Sequence, residues 1–340
     1  MMKRIQALVI LALTTAMGLQ AAWADVPKQQ VSTSFSILEN ITLALLGKNN
    51  PVTVHTLVGI NGNSHTYQLR ALDVQTMQKS QLIMFNGLGF ESAAMQRAAA
   101  STKVPVIEAG QGLHDLLHGG HEHHDGEDAH EHAGETAAEH AAHEHEEASH
   151  QHETAEHAHE TEGEHSTEAI DPHVWLDPLN MPLYTVNISK ALIKQQPQQT
   201  QRLSLHWQFY QLKLAKLHGE NVHKLAAIPV AKRKVLTSHT AFAYMGRRYQ
   251  IQFYAPVSGG HEAEASAKTL VDLIRQVRAE NIQAVFVENV NDARLLQQLG
   301  RETGLQIKGK LYSDALSSDA RHYFSFYRHN VDLLVQTLQH

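Results

Sequence analysis

Short apolar runs of strand length alternate with longer amphipathic runs along most of this 340-residue chain. That alternation restricts the fold more than any other feature of the sequence. "VSTSFSI" and "VTVHTLV" are predicted strands, and "DVQTMQKS", "SQLIMF", "ESAAMQRAAA" and "VPVIEA" follow as helix, strand, helix and strand. A second set opens at "KRKVLTS" and runs through "AFAYMGRRY", "IQFYAPV", "AKTLVDLIRQVRAE", "AVFVEN", "ARLLQQLG" and "QIKGKLY" to a closing helix from about Ser318 to Gln339. Strands separated by helices pair in parallel, because the helix carries the chain back across the sheet. The predicted class is therefore α/β, with two lobes of mostly parallel sheet covered by helices.

Between the two sets, "NMPLYTVNISKALIKQQ" is a predicted helix, and a longer one begins at Pro197, a residue suited to a first helical turn. Leu203, Trp207, Tyr210, Leu214 and Leu217 are spaced alternately four and three apart, which makes one continuous apolar stripe along it. The expected layout is an N-terminal lobe over 25–196, a rigid linker helix over 197–228 and a C-terminal lobe over 229–340. Residues 1–24 read as a signal peptide. Lys3 and Arg4 precede an apolar run from Ile5 to Leu13, and Ala22 and Ala24 give a small-x-small cleavage pattern before Asp25. That run is too short to cross about 30 Å of hydrocarbon, so a periplasmic protein is expected. With no cysteine, any metal site must use nitrogen and oxygen donors.

One stretch fits no element. From His114 to His165 lie fifteen of the 26 histidines and sixteen of the 35 acidic residues, with no Lys or Arg. Such a segment, about 114–168, has too little apolar surface to offset the entropy of ordering it. Its imidazoles and carboxylates suit loose binding of several zinc, copper or nickel ions. The rest of the chain is net basic but has no basic run interleaved with aromatics, so nucleic acid is not an expected partner.

Four short stretches place donor side chains at the ends of predicted elements, where open α/β sheets form ligand crevices. They are His65 in "NSHTYQLRALD", His173 in "DPHVWLDP", His239 in "LTSHTAFAYMGRRY" and Asp314 in "YSDALS". Three neutral imidazoles and one carboxylate make a tetrahedral N3O set that suits zinc. Periodicity alone does not select these four, since His55, His206, His218, His223, His322 and His329 are ordinary structural histidines by the same test. Asp177 is expected to cap the helix that follows it, and His261 with Glu262 to lie in a solvated loop.

Taken together, "FSILENI", "LVGINGNSHTYQLRALDVQTMQKSQLIMFNGLGFES", "DPHVWLDP", "HTAFAYMGRRYQI", "EASAKTL", "VFVEN" and "YSDALS" resemble, in content and order, the periplasmic solute-binding proteins of metal ABC importers. The likeness covers nearly the whole mature chain and is greatest to the zinc-binding members, which carry a His-rich acidic loop before their second metal histidine. It implies two α/β lobes bridged by a long helix. It also implies that His65, His173, His239 and Asp314 ligate the metal in the cleft between the lobes. The usual "DPH" reads "NSH" here, and later prolines are replaced by Leu69 and Ala71. His239 stands where manganese-binding relatives tend to have an acid, which favours zinc as the softer ion. Glu288 matches a family acid and is expected behind the ligands or as a substitute for one. The implied function is capture of Zn2+ in the periplasm and delivery to an inner-membrane ABC permease with its ATPase, by a monomer that is not an enzyme. The alternatives are a free-standing zinc buffer or chaperone, and a manganese importer component. A zinc hydrolase is disfavoured, because four ligands leave no open position for water and no "HExxH" is present.

Overall fold

The computed structural model describes residues 29–118, 169–256, 267–282 and 284–339. The expected signal peptide, most of the His-rich stretch and the segment with His261 and Glu262 lie outside the described residues. The first sheet holds β1 (Gln30–Phe35), β2 (Thr53–Val58), β3 (Leu82–Phe85) and β4 (Val106–Glu108), in the order β2-β1-β3-β4 with every pair parallel. Helices α1 (Ser36–Leu46), α2 (Ala71–Lys79) and α3 (Ala93–Ser101) connect them. After α4 (Met181–Gln195) and α5 (Thr200–Ala226) the pattern repeats. Strands β5 (Lys234–Leu236), β6 (Gln252–Tyr254), β7 (Ala284–Glu288) and β8 (Ile307–Leu311) form a second parallel sheet in the order β6-β5-β7-β8. Their connections are α6 (Ala243–Tyr249), α7 (Ala267–Ala279) and α8 (Arg294–Thr303), and α9 (Tyr323–Leu338) closes the chain.

This is the α/β architecture of two parallel sheets expected from the alternation, with four local differences. The strand read in "VSTSFSI" stops at Phe35, because Ser36 to Leu46 coil into α1. The core-facing positions of α1, namely Ile37, Leu38, Ile41 and Leu45, recur three and four apart, so a helical period was present but too close behind a strand to stand out. Pro197 lies in a separate 3-10 turn, Pro197–Gln199, and the long helix starts at Thr200. The closing helix starts at Tyr323, five residues later than expected. Asp177 does not cap α4. Its carboxylate is fully buried and takes both Nε and Nη2 of Arg248 at 2.8–3.0 Å, because a buried charge needs a charged partner more than a helix end needs a cap.

One apolar core joins the two halves. It runs from Val31 and Phe35 through Trp175 and the α5 stripe to Tyr323, Tyr327 and Leu338. Helix α5 buries Leu203, Tyr210, Leu214 and Leu217 and packs on α1, α4 and α9. Its C-terminal carbonyls are closed by Arg233, whose Nη2 donates to Leu225 O and Ile228 O at 2.8 Å. A second, smaller cluster around Leu236, Val285 and Leu296 fills the far side of the second sheet. Cross-links between the halves are polar as well as apolar. Trp175 Nε1 donates to Ser313 O at 2.9 Å, and the Tyr323 and Tyr327 hydroxyls donate to Trp175 O and Leu176 O at 2.9 and 2.7 Å.

Candidate metal centre

Parallel sheets put the loops after their strands on one side, and three of the four predicted site residues follow strand ends. His65 lies in the loop between β2 and α2, His239 between β5 and α6, and Asp314 just past β8. Strand β5 is where the order of the second sheet reverses, the usual position of an open crevice. His173 precedes a 3-10 turn, Val174–Leu176, whose three side chains are all buried, so it is carried by a piece of chain anchored in the core.

The structure brings these four side chains together. One donor atom from each of His65, His173, His239 and Asp314 falls within 4.8 Å of all the others. The imidazole centroids form a nearly equilateral triangle with sides of 5.4, 5.6 and 5.8 Å. Asp314 completes it. Its Oδ1 is 3.3 Å from His173 Nε2, and its Oδ2 is 3.2 Å from both His65 Nε2 and His239 Nε2. Donors about 2.0–2.2 Å from a tetrahedral ion are roughly 3.3–3.6 Å from one another, so these separations suit a shared ion. Although close, the Nε2 atoms of His173 and His239 and both Asp314 oxygens make no hydrogen bond. They point toward a common centre rather than at each other.

Two of the three imidazoles are held from behind by carboxylates. Asp171 Oδ1 sits 2.6 Å from His173 Nδ1, and Glu288 Oε2 sits 2.7 Å from His239 Nδ1. Glu288 Oε1 also accepts the backbone N–H groups of Ser238 and His239. Glu288 thus lies on the side of His239 away from Asp314, as a support and outside the four-donor group. The loop of His65 is pinned at both ends. Asn63 Oδ1 accepts the N–H of His65 at 2.8 Å, and Asp73 takes the Arg70 N–H and the Tyr67 hydroxyl at 2.8 Å. Edge-on contacts from Phe90 to His65 and from Trp175 to His173 wall off the first-lobe side.

Electrostatics follow from burying two kinds of charge together. Burial alone would lower the pKa of His173, but the carboxylates of Asp314 and Asp171 outweigh it and hold the value up at about 9. His239 is likewise held well above its ordinary value, with Glu288 and Asp314 overcoming burial. Burial would raise Asp314, yet the facing His173 and His239 keep its carboxyl well below the usual range. All three shifts favour positive charge beside Asp314, charge that a bound cation would supply instead.

Sequence reasoning did not assign Asp171, Asn63 or Asn291, which support the four. An acid two residues before a histidine was visible in "DPHVWLDP", whereas the partnership of Asn63 with Asn291 joins loops 228 residues apart. Among the other histidines, His206 bonds Leu45 O and His329 bonds Lys310 O, both structural roles.

The chain is similar to SloC, a metal ABC transporter substrate-binding lipoprotein of Streptococcus mutans, at 25% identity over 351 residues covering 99% of each chain. Its identity to PsaA, a manganese ABC transporter substrate-binding lipoprotein of Streptococcus anginosus, is 23% over 92% of this chain and 89% of that one. The solved structure of the periplasmic zinc-binding protein TroA from Treponema pallidum shares the fold, with a TM-score of 0.73 at 21% identity over 92% of this chain and 99% of that one. A family model described as ZnuA, zinc-uptake complex component A, periplasmic, matches residues 31–337, and the chain belongs to that family of metal-binding substrate-binding proteins of ABC transporters, which are solute carriers and not enzymes.

Proposed function

We propose that the protein captures zinc in the periplasm and hands it to an ABC permease driven by its ATPase, holding the ion with His65, His173, His239 and Asp314. The observation that carries this reading is the convergence of three imidazoles on one buried, ionised carboxylate, with one donor atom of each residue within 4.8 Å of the others. Such a donor set gains most from a cation that replaces its protons. Zinc is the preferred cargo because three nitrogen donors suit a borderline-soft ion better than the harder manganese, which favours oxygen. A full set of four protein donors also suits a carrier, which must hold its ion away from water.

Manganese is the second reading, favoured by the similarity to PsaA, a manganese ABC transporter substrate-binding lipoprotein. The proposed working form is a monomer, released by signal cleavage after residue 24. The test is metal analysis of protein purified without chelator, followed by competition titration with zinc and manganese. One tightly held zinc per chain that manganese cannot displace supports the first reading. Preferential retention of manganese selects the second.

A further inference from the structure

Two loops face one another across the centre, and both carry asparagines at alternate positions. Asn61 and Asn63 follow β2, and Asn289 and Asn291 follow β7. Asn61 sits in a turn at φ 55° and 289–291 form a bend, and in these conformations each loop presents two amides to the other. They meet in two rungs. In the first, Asn63 Nδ2 donates to Asn291 Oδ1 at 3.1 Å and to Val290 O at 3.2 Å. In the second, Asn289 Nδ2 donates to Asn61 Oδ1 at 3.2 Å.

The direction of the first rung is fixed by the backbone. Asn63 Oδ1 accepts the N–H groups of both His65 and Thr66, at 2.8 and 3.2 Å. Turning that amide over would aim N–H groups at N–H groups, so its Nδ2 must point across the cleft. Asn291 takes that bond on its carbonyl oxygen and leaves its own Nδ2 at 2.8 Å from His239 Nδ1. A His239 that ligates through Nε2 carries its proton on Nδ1, toward Glu288 Oε2 at 2.7 Å, so the hydrogen-bonded path runs from the turn that aims His65 to the segment just after Glu288, with the Asn291 amide packed beside the ring. The second rung ends at the remaining second-lobe donor. Asn289 Nδ2 also donates to Ala315 O at 3.0 Å and its Oδ1 accepts the Ser313 N–H at 3.4 Å, which grips Asp314 from both flanks. Asn61 is tied to the same segment through its backbone N–H and Leu316 O at 2.8 Å.

We propose that Asn61, Asn63, Asn289 and Asn291 form a two-rung clasp across the cleft, which sets the rate at which a bound ion leaves. None of the four offers a donor to the ion; they are positioning residues that keep the His65 loop against His239 and Asp314. Amides suit this task because each carries a donor and an acceptor without charge, so the clasp neither attracts nor repels a cation. Opening it separates His65 from the two second-lobe donors, and the ion is then released from a broken site rather than an intact one. The inference rests on the metal reading above.

The test is stopped-flow transfer of zinc from the loaded protein to excess chelator, for the wild type, Asn291→Ala, Asn63→Ser and the double variant. Asn63→Ser keeps a hydroxyl acceptor for the His65 N–H and has no side chain long enough to reach the second lobe. Both single variants are expected to release zinc about tenfold faster, at roughly one net hydrogen bond per rung. The double variant should be no faster than the faster single, because both break the same rung. Thermal unfolding of the metal-free variants should stay a single cooperative transition, lowered by no more than the net contribution of one hydrogen bond, which separates the clasp from a general loss of fold. Rates within twofold of the wild type, or single effects that multiply in the double variant, overturn the clasp while one zinc per chain is still retained. A wild type that retains no zinc removes the metal reading and the clasp with it.

Discussion

Asp171 Oδ1 both accepts the backbone N–H of His173 at 2.9 Å and lies 2.6 Å from its Nδ1. One carboxylate oxygen thereby sets the place of the imidazole and its rotation, leaving Nε2 directed at Asp314. Replacing Asp171 by Asn keeps the shape and removes the charge that makes His173 a good donor. Support of this kind typically contributes 10–100-fold in metal affinity. Asp171→Asn should weaken zinc binding by about that factor with near-UV circular dichroism unchanged, and undiminished affinity in a competition titration would show the support to be dispensable.

A ligand and a bystander should separate cleanly. His239 converges on Asp314, whereas His223 is exposed on α5. His239→Ala should lower zinc affinity by at least about 100-fold, on the view that losing one of four donors costs more than losing a supporting group. His223→Ala should leave it unchanged. Equal losses, measured by competition with a chromophoric chelator on folded variants, would mean that the centre lies elsewhere.

Proton competition sets the pH dependence. The folded pKa of His173 is raised to about 9, so its contribution to the stability of the metal-free protein is fully present below about 6.5 and is lost as pH rises through about 9. The depressed Asp314 contributes above its ordinary value of 3.8 and loses that contribution as pH falls. The metal-free protein should thus unfold at a lower temperature at pH 9.5 than at pH 6, with the raised pKa of His173 contributing on the order of 3 kcal/mol to the difference in stability. Zinc affinity should move the other way and rise between pH 6 and 9, because binding expels the imidazole protons. Calorimetry in buffers of different ionisation enthalpy should register that release, and proton-neutral binding at pH 7 would contradict it.

The two ends of the His-rich stretch meet on described residues. Asp171 N–H donates to Leu117 O at 2.8 Å, His118 bridges Ile170, and the Tyr244 hydroxyl accepts from Leu117 N–H and donates to Asp171 O at 3.0 Å. Chain ends already held together need only a short connection. Deleting residues 121–165 should leave one tight site, while total zinc per chain falls toward one as the additional histidines go. Calorimetric titration of the shortened protein beside the full chain reads both numbers, and loss of the tight site would assign essential ligands to the deleted segment.

Much of the fold was legible because it is written in local periods. Alternating strands and helices specify parallel sheets, and the stripe from Leu203 to Leu217 specifies a long helix with one buried face, since each depends on side chains a few positions apart. The helix α1 was missed where a strand passes into a helix at Ser36 without a turn residue between them. His65, His173, His239 and Asp314 stood out only through the ordered motifs around them, because a histidine at a strand end carries no mark of its partners. What tertiary structure alone decided is how those partners are oriented. The Glu288 carboxylate behind His239, the Arg248 charge on Asp177 and the Asn63–Asn291 bond all join residues from 49 to 228 positions apart. Hydrogen bonds and buried charges act over a few ångströms of space, and only the packing of both sheets against one shared core brings those distances within reach.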